Sequence, residues 1–256
     1  MIASGDRVLL YCPEKEEKFL LRADKNDAVK GLGSFSGEDL IGLQWGDRVQ
    51  AAGKEFVVLA PTVRDAHETL KRKAQIITPK DAARILYELS LNPGDRVLES
   101  GIGSGGTTLG LLQAVGPTGE VVAQELRDDF AEFALKNMRR AGLLDRLTIK
   151  IGDLTKGLAD GIEGPFQAAL LDQPEPWLAL PHLEPVLERG ARVVAYCPQV
   201  SQMEQTVRAM KHWEFADIRC MELIERAWDV DGRVCRPSFE GLGHTAFLVV
   251  GRFIGL

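Results

Sequence analysis

Four carboxylates stand where apolar runs end: Glu99 after Val97-Leu98, Glu125 after Val121 to Gln124, Asp153 in Gly152-Asp153-Leu154, and Asp172 after Leu170-Leu171. The first runs directly into a glycine-rich turn, Gly101-Ile102-Gly103-Ser104-Gly105-Gly106, and a helical pattern follows from Thr107. Glycines let a backbone approach a ligand closely, and a helix start offers unpaired N–H groups. Gly101, Gly103 and Gly106 satisfy the pattern G-x-G-x-x-G, so the turn alone does not choose between NAD(P) and S-adenosylmethionine.

The carboxylates make that choice. Glu125 lies 24 residues after Gly101, where an acid can accept both ribose hydroxyls of an adenosine group. Asp153 is placed to meet an adenine amine, with Leu154 or Ile102 against the ring. An acidic rim repels a pyrophosphate and suits a cationic sulfonium with an amino-acid tail. The expected cofactor is therefore S-adenosylmethionine, and an oxidoreductase is disfavoured.

These residues need a frame, and the chain supplies one. From Asp95 onward strand and helix signals alternate: strands at 96–101, 120–125, 147–153, 166–172 and 191–197, helices at 107–114, 128–141, 177–188 and 200–212. Such alternation predicts an α/β fold, a Rossmann-like parallel sheet with helices on both faces. Two further β-rich runs, Ile218 to Val230 and His244 to Ile254, have no helix between them and are expected as an antiparallel pair at the sheet edge. Residues 1–60 read differently. Arg7 to Tyr11, Lys18 to Arg22 and Phe56 to Leu59 are short apolar segments broken by Gly31, Gly33, Gly37 and Gly46, which predicts a small N-terminal β domain before a catalytic domain at 61–256. Within the latter, Thr78-Pro79-Lys80-Asp81 reads as a helix cap with proline first.

Composition narrows the setting. The chain has 256 residues, 45% hydrophobic, with a net charge of −6, as in an ordinary globular protein. No apolar run approaches the roughly 18–20 residues of a membrane span, and the start lacks a signal-peptide pattern; a cytoplasmic protein without membrane partners is expected. Four scattered cysteines lack a C-x-x-C pair, so no metal is expected. Their expected state is reduced, with Cys197–Cys235 left open as a disulfide. Lys71-Arg72-Lys73 and Arg139-Arg140 are candidate phosphate-binding patches within an acidic chain.

Longer segments carry a specific resemblance. Leu70 to Asp81, the glycine turn, Glu125, Gly152 to Leu154, Asp172 to Trp177, Val194 to Pro198 and Gly243 to Leu248 together resemble the tRNA adenine-N1 methyltransferase family, which modifies position 58 of the T-loop. Gln173 departs from the Leu or Ile expected there, and Thr78 from a common Tyr. The resemblance implies a class I methyltransferase fold behind a small β domain, tRNA as substrate, and a homotetramer. It implies that Ile77, Ser104, Gly105, Gly106, Glu125, Asp153, Leu154 and Asp172 line the cofactor site. It also places Asp172 against the target adenine, where an ionised carboxylate would steady the cationic product ring, and Tyr196 is expected to stack on or cap the base. Three rivals remain open: a protein isoaspartyl or small-molecule methyltransferase, to which Gln75 to Pro79 also bears likeness; a tRNA-binding subunit without activity; and a dinucleotide oxidoreductase. The segments Asp172 to Trp177 and His244-Thr245 count against the first, and the intact turn and carboxylates against the second.

Overall fold

Alternating apolar residues build the first strands. The computed structural model describes residues 1–29, 31–73, 75–232 and 234–255; Ala74, inside the Leu70 to Asp81 segment, lies outside them. Contacts divide the chain into two compact units, Met1–Lys71 and Arg72–Leu256.

The first unit contains β1 (Arg7–Cys12), β2 (Glu17–Arg22), β3 (Asn26–Val29), β4 (Gly33–Ser36), β5 (Arg48–Ala51), β6 (Lys54–Leu59) and α1 (Val63–Glu68). Four strands form an antiparallel sheet in the order β2-β1-β6-β5, and β3 pairs with β4. Val8, Leu10, Phe56 and Val58 are fully buried on its core face. Helix α1 opens with a reciprocal cap between Thr62 and Asp65, which satisfies two otherwise unpaired N–H groups. Lys18 on β2 donates at 2.7 Å to both Asp65 and Glu68. That ion pairing ties α1 to the β sheet, so the division falls after Lys71 rather than at the expected residue 60.

The second unit runs α2 (Pro79–Leu89), β7 (Arg96–Ser100), α3 (Gly106–Ala114), β8 (Glu120–Glu125), α4 (Asp128–Ala141), β9 (Leu147–Ile151), β10 (Phe166–Leu171), α5 (Pro176–Leu183), β11 (Leu187–Cys197), α6 (Val200–His212), β12 (Phe215–Glu222), β13 (Trp228–Asp231), β14 (Val234–Pro237) and β15 (Phe247–Phe253). Seven strands form one sheet, ordered β12-β15-β11-β10-β7-β8-β9. The pairs among β7 to β11 are parallel, and β15 is antiparallel to both β11 and β12. The α/β class and the antiparallel edge are as expected. The edge differs in detail. Trp228–Asp231 does not continue β12 but folds back on Val234–Pro237 as a separate hairpin; the chain reverses after Asp231, where Gly232 has φ +52°, a position that suits glycine in a tight hairpin turn. Helix α5 stops at Leu183, before the expected residue 188, because β11 already starts at Leu187 and pairs there with Phe166 of β10.

Strand order reverses between β7 and β10, whose successors lie on opposite sides. In an open parallel sheet the crevice at the carboxyl ends of such strands is where ligands bind. Among the described residues no helix is long and apolar enough to cross a membrane. Cys197 is buried with its Sγ 3.7 Å from Thr206 Oγ1, Cys235 is exposed on β14, and all four cysteines are free.

Candidate active site

The crevice is shaped by close backbone contact. Asp172 N donates to Ser100 O at 2.8 Å, and Gly101 N to Gln124 O at 3.0 Å, stitching together the ends of β10, β7 and β8. Gly101 has φ +84°, and a Cβ there would stand 1.8 Å from the Asp172 carbonyl oxygen. Glycine is required at this position by both conformation and space. Gly103 has φ +53°, and nothing lies within 4 Å of where its Cβ would be, so its backbone faces open space.

Above this junction lies a cavity of about 390 Å³ whose wall includes Gly101, Gly103, Glu125, Asp153, Leu154 and Asp172. These are six of the residues expected from the sequence. Ile77, Ser104, Gly105, Gly106 and Tyr196 are not on that wall. Ser104 is buried; its Oγ accepts from Lys73 N at 3.1 Å and its carbonyl from Asn137 Nδ2 at 2.9 Å. It braces the turn from behind. Gly105 takes φ +84° as the residue capping α3, which Gly106 begins. Ile102 packs into a core cluster with Ala123 and Ala134, so of the two apolar residues expected against the ring only Leu154 is on the wall.

Each carboxylate has its own environment. Glu125 accepts from Gly103 N and Arg127 N, both at 3.1 Å, one on each oxygen. A carboxylate has about four acceptor sites, so two remain for hydroxyls. Asp153 accepts from Thr155 N at 3.0 Å and Thr155 Oγ1 at 2.6 Å, and its other oxygen lies 3.1 Å from Lys156 Nζ. The Thr155 hydroxyl and then Lys156 hold its carboxyl below the ordinary range. Asp172 keeps part of its surface open, yet desolvation, and then the charge of Glu125, push its pKa up to about 7. Glu99 is not on the wall. It is buried behind the turn and accepts from Thr108 Oγ1 at 2.8 Å; desolvation, with the nearby Asp172 and Glu125, raises it to about 8. The four acids expected on one rim are thus three on the wall and one beneath it.

Tyr196 on β11 is half-buried. Burial, then the charges of Asp81 and Asp172, raise its pKa, which keeps the phenol protonated. Thr78 caps α2 but donates to Asp81 Oδ2 at 3.0 Å instead of pairing with backbone. Lys80 bridges Asp81 and Thr245 Oγ1 at 2.7 and 2.6 Å. His244 lies 2.6 Å from Glu222 Oε1 and 2.9 Å from Pro198 O; both partners are acceptors, and Glu222 first, then Pro198, raise the imidazole pKa.

Sequence reasoning missed other wall residues, among them Ser100, Gln124, Arg127 and Phe130, whereas Gln173 and Glu175 lie in the Asp172 to Trp177 segment it singled out. Phe130 carried a signal, as an aromatic in the first turn of the helix after Glu125. Arg127 lies 3.5 Å over its ring, and Lys73 lies 5.3 Å from it while pairing with Asp129. Lys73 is exposed but paired beside the cavity; Arg72, Arg139 and Arg140 are exposed.

A parallel sheet with a glycine turn and acidic strand ends at its switch point defines a nucleotide-cofactor enzyme of the methyltransferase class. The family described as the tRNA methyltransferase complex GCD14 subunit matches residues 55–238, and the chain belongs to that family. It is 38% identical over 200 residues to the tRNA (adenine(58)-N(1))-methyltransferase TrmI of Thermus thermophilus, covering 78% of each chain. It is 29% identical over 270 residues to the tRNA (adenine(57)-N(1)/adenine(58)-N(1))-methyltransferase TrmI of Methanocaldococcus jannaschii, covering 95% of this chain and 94% of the relative. A crystal structure of a SAM-dependent O-methyltransferase from Thermotoga maritima superposes with a TM-score of 0.84 at 30% identity, covering 100% of this chain and 95% of that one.

Proposed function

We propose that this protein transfers a methyl group from S-adenosylmethionine to N1 of adenine 58 in the T-loop of tRNA, with adenine 57 as a second acceptor. The single observation that carries the reading is the three-carboxylate wall of Glu125, Asp153 and Asp172 in a chain of this family. When bound, S-adenosylmethionine supplies an electrophilic methyl group on a cationic sulfur. The wall fits such a group. Its charge suits a cation, its volume of about 390 Å³ suits a small-molecule site, and Gly103 leaves backbone open to a ligand. Glu125 would hold the ribose hydroxyls, Asp153 the adenine amine and Leu154 the ring face. Gly101 and Gly103 give room for the amino-acid tail, and Ser104, Gly105 and Gly106 shape the turn from outside the wall.

Adenine N1 carries its own lone pair, so this chain need not supply a base. Its residues must hold N1 about 3 Å from the methyl and in line with it. Asp172 accepts from the exocyclic amine and, as a carboxylate, stabilises the positive charge that grows on the ring. Tyr196, held protonated, stacks on the base or donates to it. Extruding a folded T-loop adenine costs a few kcal/mol, which phosphate contacts from exposed cations such as Arg72, Arg139 and Arg140 offset. The likeness to an O-methyltransferase favours a second reading, an oxygen acceptor, whose proton Asp172 would have to remove. We further propose a cytoplasmic homotetramer, which sedimentation equilibrium tests directly.

Two assays test the activity. Calorimetry of S-adenosylmethionine binding should show an affinity loss of roughly tenfold or more for Glu125→Ala, the scale of a lost charged hydrogen bond. A tRNA transcript with guanine at positions 57 and 58 should accept no methyl group. Undiminished labelling of that transcript would remove these adenines from the reaction.

A further inference from the structure

Two wall residues have no part in the chemistry above. Ser100 ends β7, is buried, and donates through Oγ to Gln173 Oε1. That bond fixes the orientation of the Gln173 amide and leaves its Nε2 directed to Glu175 O at 3.4 Å. At the far side of the same loop, Gln202 of α6 donates to Pro174 O at 2.8 Å. The loop from Asp172 to Glu175 is therefore fastened to β7 at one end and to α6 at the other.

The loop needs fastening because its electrostatic surroundings push outward. Burial, and then the charge of Glu125 on β8, oppose ionisation of Asp172 in the wall, while Glu99 of β7 and Tyr196 and Cys197 of β11 beside it are held protonated. An ionised Asp172 is desolvated and repelled by Glu125, and solvation outside the wall would relieve both. A buried hydroxyl is costly unless paired, so Ser100 and Gln173 stabilise one another only while the loop stays in.

We propose that Gln173, clasped by Ser100, is a positioning residue that holds the Asp172 carboxylate in the cavity wall; this rests on the reading of Asp172 as the group that faces the acceptor base. Releasing the clasp lets Asp172 move toward water without removing any group that touches the reacting atoms. Turnover then falls more than binding does.

The test uses the full-length protein with Ser100→Ala, Gln173→Leu and the double variant. The carboxyl carbon of Asp172 is followed by NMR titration without ligand, and kcat and KM are then measured on tRNA. Each single variant should lower the Asp172 midpoint by about one unit or more, toward the ordinary carboxylate range. Turnover should fall roughly 10- to 100-fold with the KM for S-adenosylmethionine within about threefold, as expected for lost alignment. The double variant should match the singles, since one bond is broken in all three. An unchanged midpoint in both single variants, or additive losses in the double, would overturn the clasp. Ser100→Ala removes one oxygen and keeps the titration readable if Gln173→Leu fails to fold. Because the titration needs no substrate, a shifted midpoint in a protein whose wild type does not methylate tRNA would uphold the clasp and refute the proposed activity.

Discussion

At the residue scale the account turns on what burial does to two carboxyl groups. Asp172, raised to about 7, is divided between its forms at neutral pH. Only the carboxylate accepts from the amine and opposes ring charge. kcat/KM should therefore climb with pH around a midpoint of about 7. Asp172→Asn should lose that limb and reduce kcat by roughly 10²- to 10³-fold, the scale of a lost electrostatic contact in the transition state. A retained limb in the asparagine variant would assign it to another group. Glu99 acts on stability instead. Its folded pKa of about 8 stands above the ordinary glutamate value of 4.5, so folding binds a proton, and stability falls as pH rises between those values. Below the lower value both states are protonated and the penalty vanishes. Glu99→Gln keeps an acceptor for Thr108 and cannot ionise. It should raise unfolding free energy by roughly 2–4 kcal/mol at pH 8 and leave it nearly unchanged at pH 4. Urea unfolding at the two pH values checks this, and an equal gain at both would point to packing instead of charge.

At the element scale, the junction of β7 and β10 is the sensitive point. Gly101→Ala combines a left-handed φ with a Cβ 1.8 Å from the Asp172 carbonyl, so the two strand ends must part; a loss of about 3 kcal/mol or more is expected. Gly103→Ala meets no atom within 4 Å and should cost only about 1 kcal/mol, the conformational part. Thermal unfolding of the two variants ranks them, and equal losses would show that space at Gly101 is not limiting. Much of this frame was legible in the sequence. Helix α4 begins at Asp128 and ends at Ala141, and α6 spans Val200–His212, as expected. Both have an amphipathic pattern and clear ends, Gly142 closing α4 in the left-handed conformation that glycine favours. The hairpin of β13 and β14 is not evident from the sequence although Gly232 marks its turn, because Trp228 to Val230 reads as β-forming in either pairing. In the site, glycine positions and strand-end acids could be read directly. Arg127 could not, since it reaches the wall from the turn before α4, whose geometry spacing along the chain does not encode. Glu99 was misplaced for a related reason. Side chains alternate faces along a strand, and its own turn covers it.

At the scale of the whole molecule, an acidic protein is asked to bind a polyanion. The net charge of −6 sets a repulsion that local cations must overcome, and such binding weakens steeply with salt. Lys71→Glu together with Arg72→Glu should raise the KM for tRNA by about tenfold or more, with a larger effect at low salt. The affinity for S-adenosylmethionine, measured by calorimetry, should not move. A change confined to the cofactor would place these residues at the cavity instead.

The most direct test of the central claim is chemical. Purified protein is incubated with unmodified tRNA transcript and methyl-labelled S-adenosylmethionine, and the digested nucleosides are separated by mass spectrometry. The account predicts label in N1-methyladenosine, lost when adenines 57 and 58 are replaced. Label in another nucleoside, in a ribose oxygen, or in no nucleoside while the cofactor still binds would contradict it.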